Sequence, residues 1–260
     1  MQQNKRALLI GLNYPLDVNC KLNGCCNDVR NMAKYLMSTF SFTTQQITTL
    51  TDEDLKNAPK VSRDGIVAAL YDLCISSWRE NLDVVVFHYS GHGSQERDLN
   101  ADEKTGMDEG IVPMDYMTRG LIIDDLLKEI FMKFNPKTKI ICFFDCCHSG
   151  TMLDLPFAYD QQKLAESDQI RRIIIPNCPK IYCFSGCMDS QTSMDSVDDS
   201  NTPSGAMTAA MLRLLSSKGK MSYPILQFQQ DLTNALKTRG YAQRPLLTSS
   251  VSVTSFDILF

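Results

Sequence analysis

Several absences narrow the field at once. The 260 residues contain no apolar run near the roughly 18 needed to span a membrane as a helix; runs such as Val84 to Phe87 and Ile140 to Phe144 are strand-length. Met1 to Arg6 run straight into a strand-like segment and show no signal-peptide core, so a signal peptide is not expected. The ten cysteines include no C-x-x-C pair, which removes the usual spacing of structural zinc and of thioredoxin-like chemistry. Basic residues are not in excess: 26 Lys and Arg stand against 30 Asp and Glu, and the formal net charge of −4 argues against nucleic acid or an anionic membrane as the main partner. There is no internal repeat and no low-complexity tract. Without a secretion signal the cysteines are expected as reduced thiols in the cytoplasm.

What is present alternates. Apolar strand-like runs at 7–12, 46–50, 82–89, 139–144, 180–185 and 245–253 are separated by segments with helical spacing at 27–40, 64–78, 207–215 and 225–237. A further helix is expected to start near Asp124 and Asp125. This order argues for an α/β fold with a mainly parallel sheet covered by helices. Residues 159–172 are polar and charged and read as an exposed linker.

Two of the strands run into small-residue loops that each carry one reactive group. Val84-Val85-Val86-Phe87 leads to Gly91-His92-Gly93, and Ile140-Ile141-Cys142-Phe143-Phe144 leads to Asp145-Cys146-Cys147. Open α/β sheets place their sites just beyond the carboxyl ends of the strands, so neighbouring strands would present His92 and a cysteine together. A thiolate is a nucleophile, and a nearby imidazole can take its proton and return it to a leaving amine. The flanking glycines allow close backbone approach, with the amides of Gly93 and Cys147 as oxyanion donors. There are only three histidines: His88 lies inside a strand, and His148 follows Cys147 directly. Successive strand residues point to opposite sides, so only one of Cys146 and Cys147 can face the site. No Arg closely follows either cysteine, which excludes the phosphate-holding loop of a cysteine phosphatase. Asp28 by itself reads as a helix-start carboxylate, and Asp145 stands two residues from Cys147.

These strings resemble the metacaspases. The resemblance runs through Ala7 to Tyr14, Leu22 to Val29, Tyr89 to Gly93, Asp145 to Gly150, Thr151 to Pro156 and Ser185 to Ser193, and so covers most of the chain. It implies a caspase-like α/β fold with a mainly parallel sheet of six to eight strands flanked by helices on both faces. A single peptidase domain over 1–260 is expected, with a large-subunit-like part to about 158, the linker 159–172 and a small-subunit-like part from about 173. The compact type I arrangement without a prodomain is expected, acting as a monomer.

The resemblance selects Cys147 as nucleophile, the Cys immediately before His-Ser-Gly, with His92 as its partner. It implies a cysteine-type endopeptidase acting on protein or peptide substrates with Arg or Lys at P1, bound by Asp28 and Asp145 with help from Cys25 and Ser90. Asp108, Asp124, Asp125 and Asp154 fit no EF-hand loop, but they carry the hard oxygens that calcium prefers. By resemblance they hold Ca²⁺ as an activator rather than as a catalytic metal, with Asp102 and Glu103 nearby. Lys163, Arg171 and Arg172 in the linker are then expected sites of self-cleavage. The competing reading is a caspase-like binding or proteostasis protein that keeps the fold without hydrolysis; loss of the Cys or His would mark it, and both are present.

Overall fold

In a computed structural model the described residues are 3–97, 107–147, 152–160, 163–164, 176–187, 196–197, 202–218, 223–241 and 243–259. β1 (Lys5–Gly11) is buried from Ala7 onward, the near-continuous burial of a strand covered on both faces. α1 (Cys25–Phe40) connects it to β2 (Ile47–Thr51), and α2 (Arg63–Arg79) connects that to β3 (Val84–Ser90). A small sheet follows, made of β4 (Gly93–Arg97), β5 (Met107–Ile111) and β6 (Ile122–Ile123), with α3 (Tyr116–Arg119) between the last two. α4 (Asp124–Met132) then leads to β7 (Lys139–Asp145). The remaining elements are β8 (Phe157–Asp160), β9 (Lys163–Leu164), β10 (Lys180–Cys187), β11 (Ser196–Val197), β12 (Pro203–Ser204), α5 (Ala206–Lys218), α6 (Ile225–Thr238) and β13 (Arg244–Ser249).

The central sheet has eight strands in the order β2-β1-β3-β7-β10-β13-β8-β9. The first five are parallel, and β13, β8 and β9 each join antiparallel to the strand before them in that order. Each face carries its own core. Leu70 and Leu73 of α2 with Leu127, Ile130 and Phe131 of α4 pack against Leu8, Phe87 and Phe144. On the other face Met32 and Leu36 of α1, Met207 and Met211 of α5 and Phe228 and Leu232 of α6 pack against Leu9, Val86 and Phe143. Alternate residues of each strand thus feed opposite layers.

The register gathers strand ends along one edge. Gly11 pairs with Ser90, Ser90 with Asp145, and Cys187 with Arg244. Because β13 runs antiparallel, its first residue lies at the edge where β3, β7 and β10 end.

Two expectations need correction, and one feature is new. The last strand stops at Ser249 rather than Val253, because the Ser250 side-chain oxygen, not a backbone carbonyl, takes the Ile181 amide. The segment 159–172 is not exposed linker throughout. Its start belongs to β8 and β9, and buried Tyr159 accepts a 2.8 Å hydrogen bond from the Val253 amide; residues 161–162 and 165–172 lie outside the described set. The small sheet β4-β5-β6 was not expected at all, since its strands are short and mostly polar.

Candidate active site

The His92 loop is fixed by two tyrosines. The Tyr89 hydroxyl donates to the His92 carbonyl at 2.7 Å, and the His92 amide donates to the Tyr14 hydroxyl at 3.1 Å. The Tyr14 ring also packs on the imidazole, with 4.8 Å between centroids. Burial pushes both phenols well above their usual titration, so they remain protonated donors. The imidazole Nε2 lies 2.6 Å from the Cys20 carbonyl oxygen. A carbonyl can only accept, so Nε2 carries the hydrogen and Nδ1 is the basic nitrogen of the neutral ring.

That carbonyl belongs to the loop after β1, which buried Asp52 organises. Its carboxylate accepts from the amides of Asn13 (2.8 Å) and Tyr14 (2.7 Å) and from the Cys26 thiol (3.2 Å). Asn13 in turn accepts from the Cys25 amide at 3.0 Å, which ties the loop to the start of α1.

β7 delivers the two cysteines unequally. Cys146 is buried in the core, whereas Cys147 is partly exposed. A Cβ on Gly93 would lie 1.9 Å from the Cys147 carbonyl oxygen and 3.2 Å from the Cys146 sulfur. Only glycine permits this approach, and it sets the residue after His92 directly against the Cys147 backbone. His148 lies outside the described residues. His88 is fully buried, its Nε2 3.0 Å from the Thr208 hydroxyl. Burial drives its titration down to about 3, so it is a neutral packing residue.

Asp28 and Asp145 converge. Asp28 lies in the first turn of α1 but does not cap it; Gly24 holds that position. Its carboxylate instead accepts from the hydroxyls of Ser90 (2.6 Å) and Ser204 and from the Gly205 amide (2.9 Å). Asp145 accepts from the Thr208 amide at 2.7 Å. A Cβ on Gly205 would lie 2.3 Å from an Asp145 oxygen and 2.8 Å from an Asp28 oxygen, so both carboxylates press on the glycine where α5 begins. Burial raises both titrations, and the Asp145 charge raises Asp28 further. The cleft is lined by Leu22, Cys25, Ser90, Asp145, Ser204 and Gln243 among others, and encloses about 30 Å³, room for roughly one water. Burial and the Asp28 charge push the Cys25 thiol up, so it stays protonated there.

Of the four aspartates expected to bind calcium, Asp124 and Asp125 open α4, Asp108 lies in β5 and Asp154 pairs with Lys128 of α4. β5–β6 pairing sets Gly110 opposite Ile123, two residues past Asp108 and one before Asp124. Asp108 and Asp124 are buried, and Asp124 accepts from the Asp125 amide at 3.0 Å. Asp154, in a left-handed backbone conformation (φ 41°), is an ion-pair partner of Lys128 at 3.9 Å. Their oxygens suit calcium chemically. As they stand, however, no three described His, Cys, Asp or Glu side chains are close enough to hold an ion. Asp102, Glu103, Arg171 and Arg172 lie outside the described residues, and Lys163 lies in β9.

Sequence reasoning missed the Cys20 carbonyl, Asp52, and the Ser204-Gly205 turn. The first is a backbone atom and leaves no mark on residue identity. The turn had a signal, since Pro203-Ser204-Gly205 precedes a helical run, but nothing in sequence places it against Asp28.

Comparison with known proteins gives a consistent picture. Residues 5–156 match the family described as metacaspase, peptidase C14 domain. The chain is 32% identical to a metacaspase-1 of Meyerozyma guilliermondii, covering 95% of this chain and 69% of that protein. It is 32% identical to a metacaspase-1 of Debaryomyces hansenii, covering 95% and 64%, and 31% identical to one of Saccharomyces cerevisiae, covering 95% and 66%. It thus spans about two thirds of the length of these relatives. A crystal structure of a Geobacter sulfurreducens protein shares the fold at a TM-score of 0.64 and 24% identity, covering 96% of this chain and 95% of that one.

Proposed function

The chain belongs to the metacaspase family of cysteine-type peptidases, and on that premise we propose a calcium-activated endopeptidase that cuts after Arg or Lys through Cys147 and His92. The observation that supports the catalytic assignment is the close approach of Gly93, the residue after His92, to the backbone of partly exposed Cys147. Nδ1 of His92 takes the thiol proton. The thiolate attacks the scissile carbonyl carbon, and the developing oxyanion is received by the amides of Gly93 and Cys147. Nδ1–H then protonates the leaving amine as the C–N bond breaks, leaving a thioester. Water hydrolyses the thioester with His92 again as base.

Asp28 and Asp145 provide charge for a cationic P1 side chain, with Cys25 and Ser90 in the same wall. The cleft must widen to accept one, because about 30 Å³ holds no guanidinium. That need supports a calcium-linked step. Asp108, Asp124, Asp125 and Asp154 would hold the ion, whose charge would draw these carboxylates together. Self-cleavage is assigned to the linker, at Lys163, Arg171 or Arg172. β8 and β9 cover the β13 edge, where a second sheet would otherwise pair, which supports a monomer. Nine cysteines among the described residues are thiols, consistent with work in the cytoplasm, and no described helix is long and apolar enough to cross a membrane.

The test is hydrolysis of matched fluorogenic peptides ending in Arg, Lys or Asp, with Ca²⁺ or chelator, by wild type and Cys147→Ala. Calcium-dependent cleavage after Arg or Lys, absent in Cys147→Ala, is expected. Cleavage after Asp overturns the pocket assignment, and silence throughout supports the binding-protein alternative.

A further inference from the structure

Gln243 stands at a junction between two cavities. One is the acidic cleft already described. The other is a pocket of about 370 Å³ bounded by the polar side of α6 and the start of β13, lined by Gln230, Asn234, Lys237, Gln243 and Arg244 among others. The two differ in chemistry. The first presents Asp145, with Asp28 beside it. The second presents two cationic side chains and three carboxamides, and among the described residues no carboxylate lines it.

Two further observations mark the second pocket as more than a polar dent. Lys237 and Arg244 are exposed, and neither makes an ion pair with another described residue. Gln243 is 7% exposed, and its side-chain oxygen is buried with no hydrogen-bond partner among the described residues. An unsatisfied buried carboxamide costs roughly 1–3 kcal/mol, and a ligand donor reaching the junction would relieve it.

The sheet edge fixes which part of a substrate lies there. Strand ends follow one another as β3, β7, β10 and β13. His92, beyond β3, protonates the departing amine, so the chain after the scissile bond leaves on that side. The acyl portion therefore extends the other way from Cys147, past β10 toward Arg244, the partner of Cys187.

We propose that the Lys237–Arg244 pocket is a substrate subsite for an acidic side chain upstream of P1, with Gln243 hydrogen-bonding the peptide between the two sites. The subsite rests on the reading of the acidic cleft as the P1 pocket, and it makes recognition depend on alternating charge: a carboxylate upstream and a cation at the cleavage point. A guanidinium–carboxylate contact also fixes orientation, and at 370 Å³ the upstream pocket admits a side chain before the P1 cleft has widened.

The experiment measures binding of fluorescein-labelled peptides to the Cys147→Ala chain in Ca²⁺ by anisotropy. One set carries Arg or Ala at P1; within each, Glu, Lys or Ala is placed in turn at P2, P3 and P4. Glu at one upstream position is expected to bind about five-fold or more tighter than Lys, with the gap shrinking in high salt. The exposed double variant Lys237→Glu/Arg244→Glu, checked for an unchanged melting temperature, is expected to reverse that order. Equal binding of Glu and Lys at every position overturns the subsite, as does a Glu preference that survives the double reversal. Arg-dependent binding without the Glu preference sinks the subsite alone. A Glu preference indifferent to P1 keeps the pocket and sinks the P1 reading, and no binding by any peptide rejects both.

Discussion

Nε2 of His92 donates a 2.6 Å hydrogen bond to the carbonyl oxygen of Cys20, and the loop bearing that oxygen is held by Asp52. The carboxylate accepts the amides of Asn13 and Tyr14, so under the proposed mechanism it acts by positioning the ring and fixing its tautomer. Asp52→Ala is expected to lower kcat by about ten- to a hundredfold with little change in KM. Asp52→Asn retains an oxygen acceptor and should recover most of the rate. A uniform loss of folded protein in both variants, with normal kcat per folded molecule, would show a purely structural role.

Cys146 and Cys147 are adjacent but not equivalent. Cys146 is buried in the core beneath the Gly93 turn, and Cys147 is partly exposed. Brief iodoacetamide treatment followed by peptide mapping should label Cys147 ahead of Cys146. Cys146→Ala should keep catalysis within a few fold at a stability cost of about 1 kcal/mol for a trimmed core side chain. Faster labelling of Cys146 would exchange their roles.

Asp28 and Asp145 set recognition against stability. Burial raises both titrations, and the Asp145 charge adds to the rise at Asp28. The folded protein therefore binds protons here more tightly than the unfolded chain does. The resulting stabilisation is complete below the unfolded value of about 3.9 and is lost as pH rises through the higher folded-state titration. Asp28→Asn removes one charge from the pair. The variant should melt about 2–4 °C higher than wild type at neutral pH, and the gain should fade toward pH 4. Cleavage after Arg should fall about a hundredfold. In wild type, KM for Arg peptides should drop as pH rises, because ionisation of the pair creates the charge that binds the substrate.

The fold was legible because its signals are local and repeated: apolar runs such as Val84 to Phe87 are buried on both faces, and helical spacing marks the segments that cover them. His92 and the Cys146–Cys147 pair stood out for a related reason, since each follows such a run, while the choice of Cys147 within the pair rested on the resemblance of Cys-His-Ser-Gly to the metacaspases. Ser204, Gly205 and the Cys20 carbonyl were not. Gly205 reaches Asp28 across 177 positions of chain, a contact made by tertiary packing without any periodic trace. The small sheet was hidden for a different reason: strands such as Gly93-Ser94-Gln95-Glu96-Arg97 are held by backbone pairing, and their side chains follow no apolar alternation.

Gly93 separates close approach from simple flexibility. A Cβ there would meet the Cys147 carbonyl at 1.9 Å, backbone against backbone, so Gly93→Ala must push the His92 turn away from Cys147. A fall in kcat/KM of about 10²–10³ is expected, the size associated with losing one oxyanion donor, with far-UV circular dichroism unchanged. Gly91→Ala meets the Tyr89 ring and hydroxyl, the nearest atom at 2.6 Å, and acts on the tyrosine pair instead. Unaltered kcat/KM in Gly93→Ala would remove this residue from the oxyanion assignment.

Lys128 bears directly on calcium. Its ammonium lies 3.9 Å from Asp154; the Lys128 side chain is 31% exposed, whereas the Asp154 side chain is 6% exposed. A tethered cation on α4 thus sits where the proposed ion would bring its own charge, and the two compete for one carboxylate. An ion pair with an exposed partner stabilises a fold by at most about 1 kcal/mol, so removing it should hardly disturb the calcium-free protein. Lys128→Gln is expected to lower the Ca²⁺ concentration at half-saturation by about three- to tenfold, read by calorimetry and by the calcium-dependent rise in melting temperature. Asp154→Asn should move both readouts the opposite way. If Lys128→Gln leaves the calcium midpoint unchanged while Asp154→Asn raises it, Asp154 is a ligand and Lys128 is a bystander. If neither substitution moves it, calcium acts elsewhere and the α4 aspartates are structural.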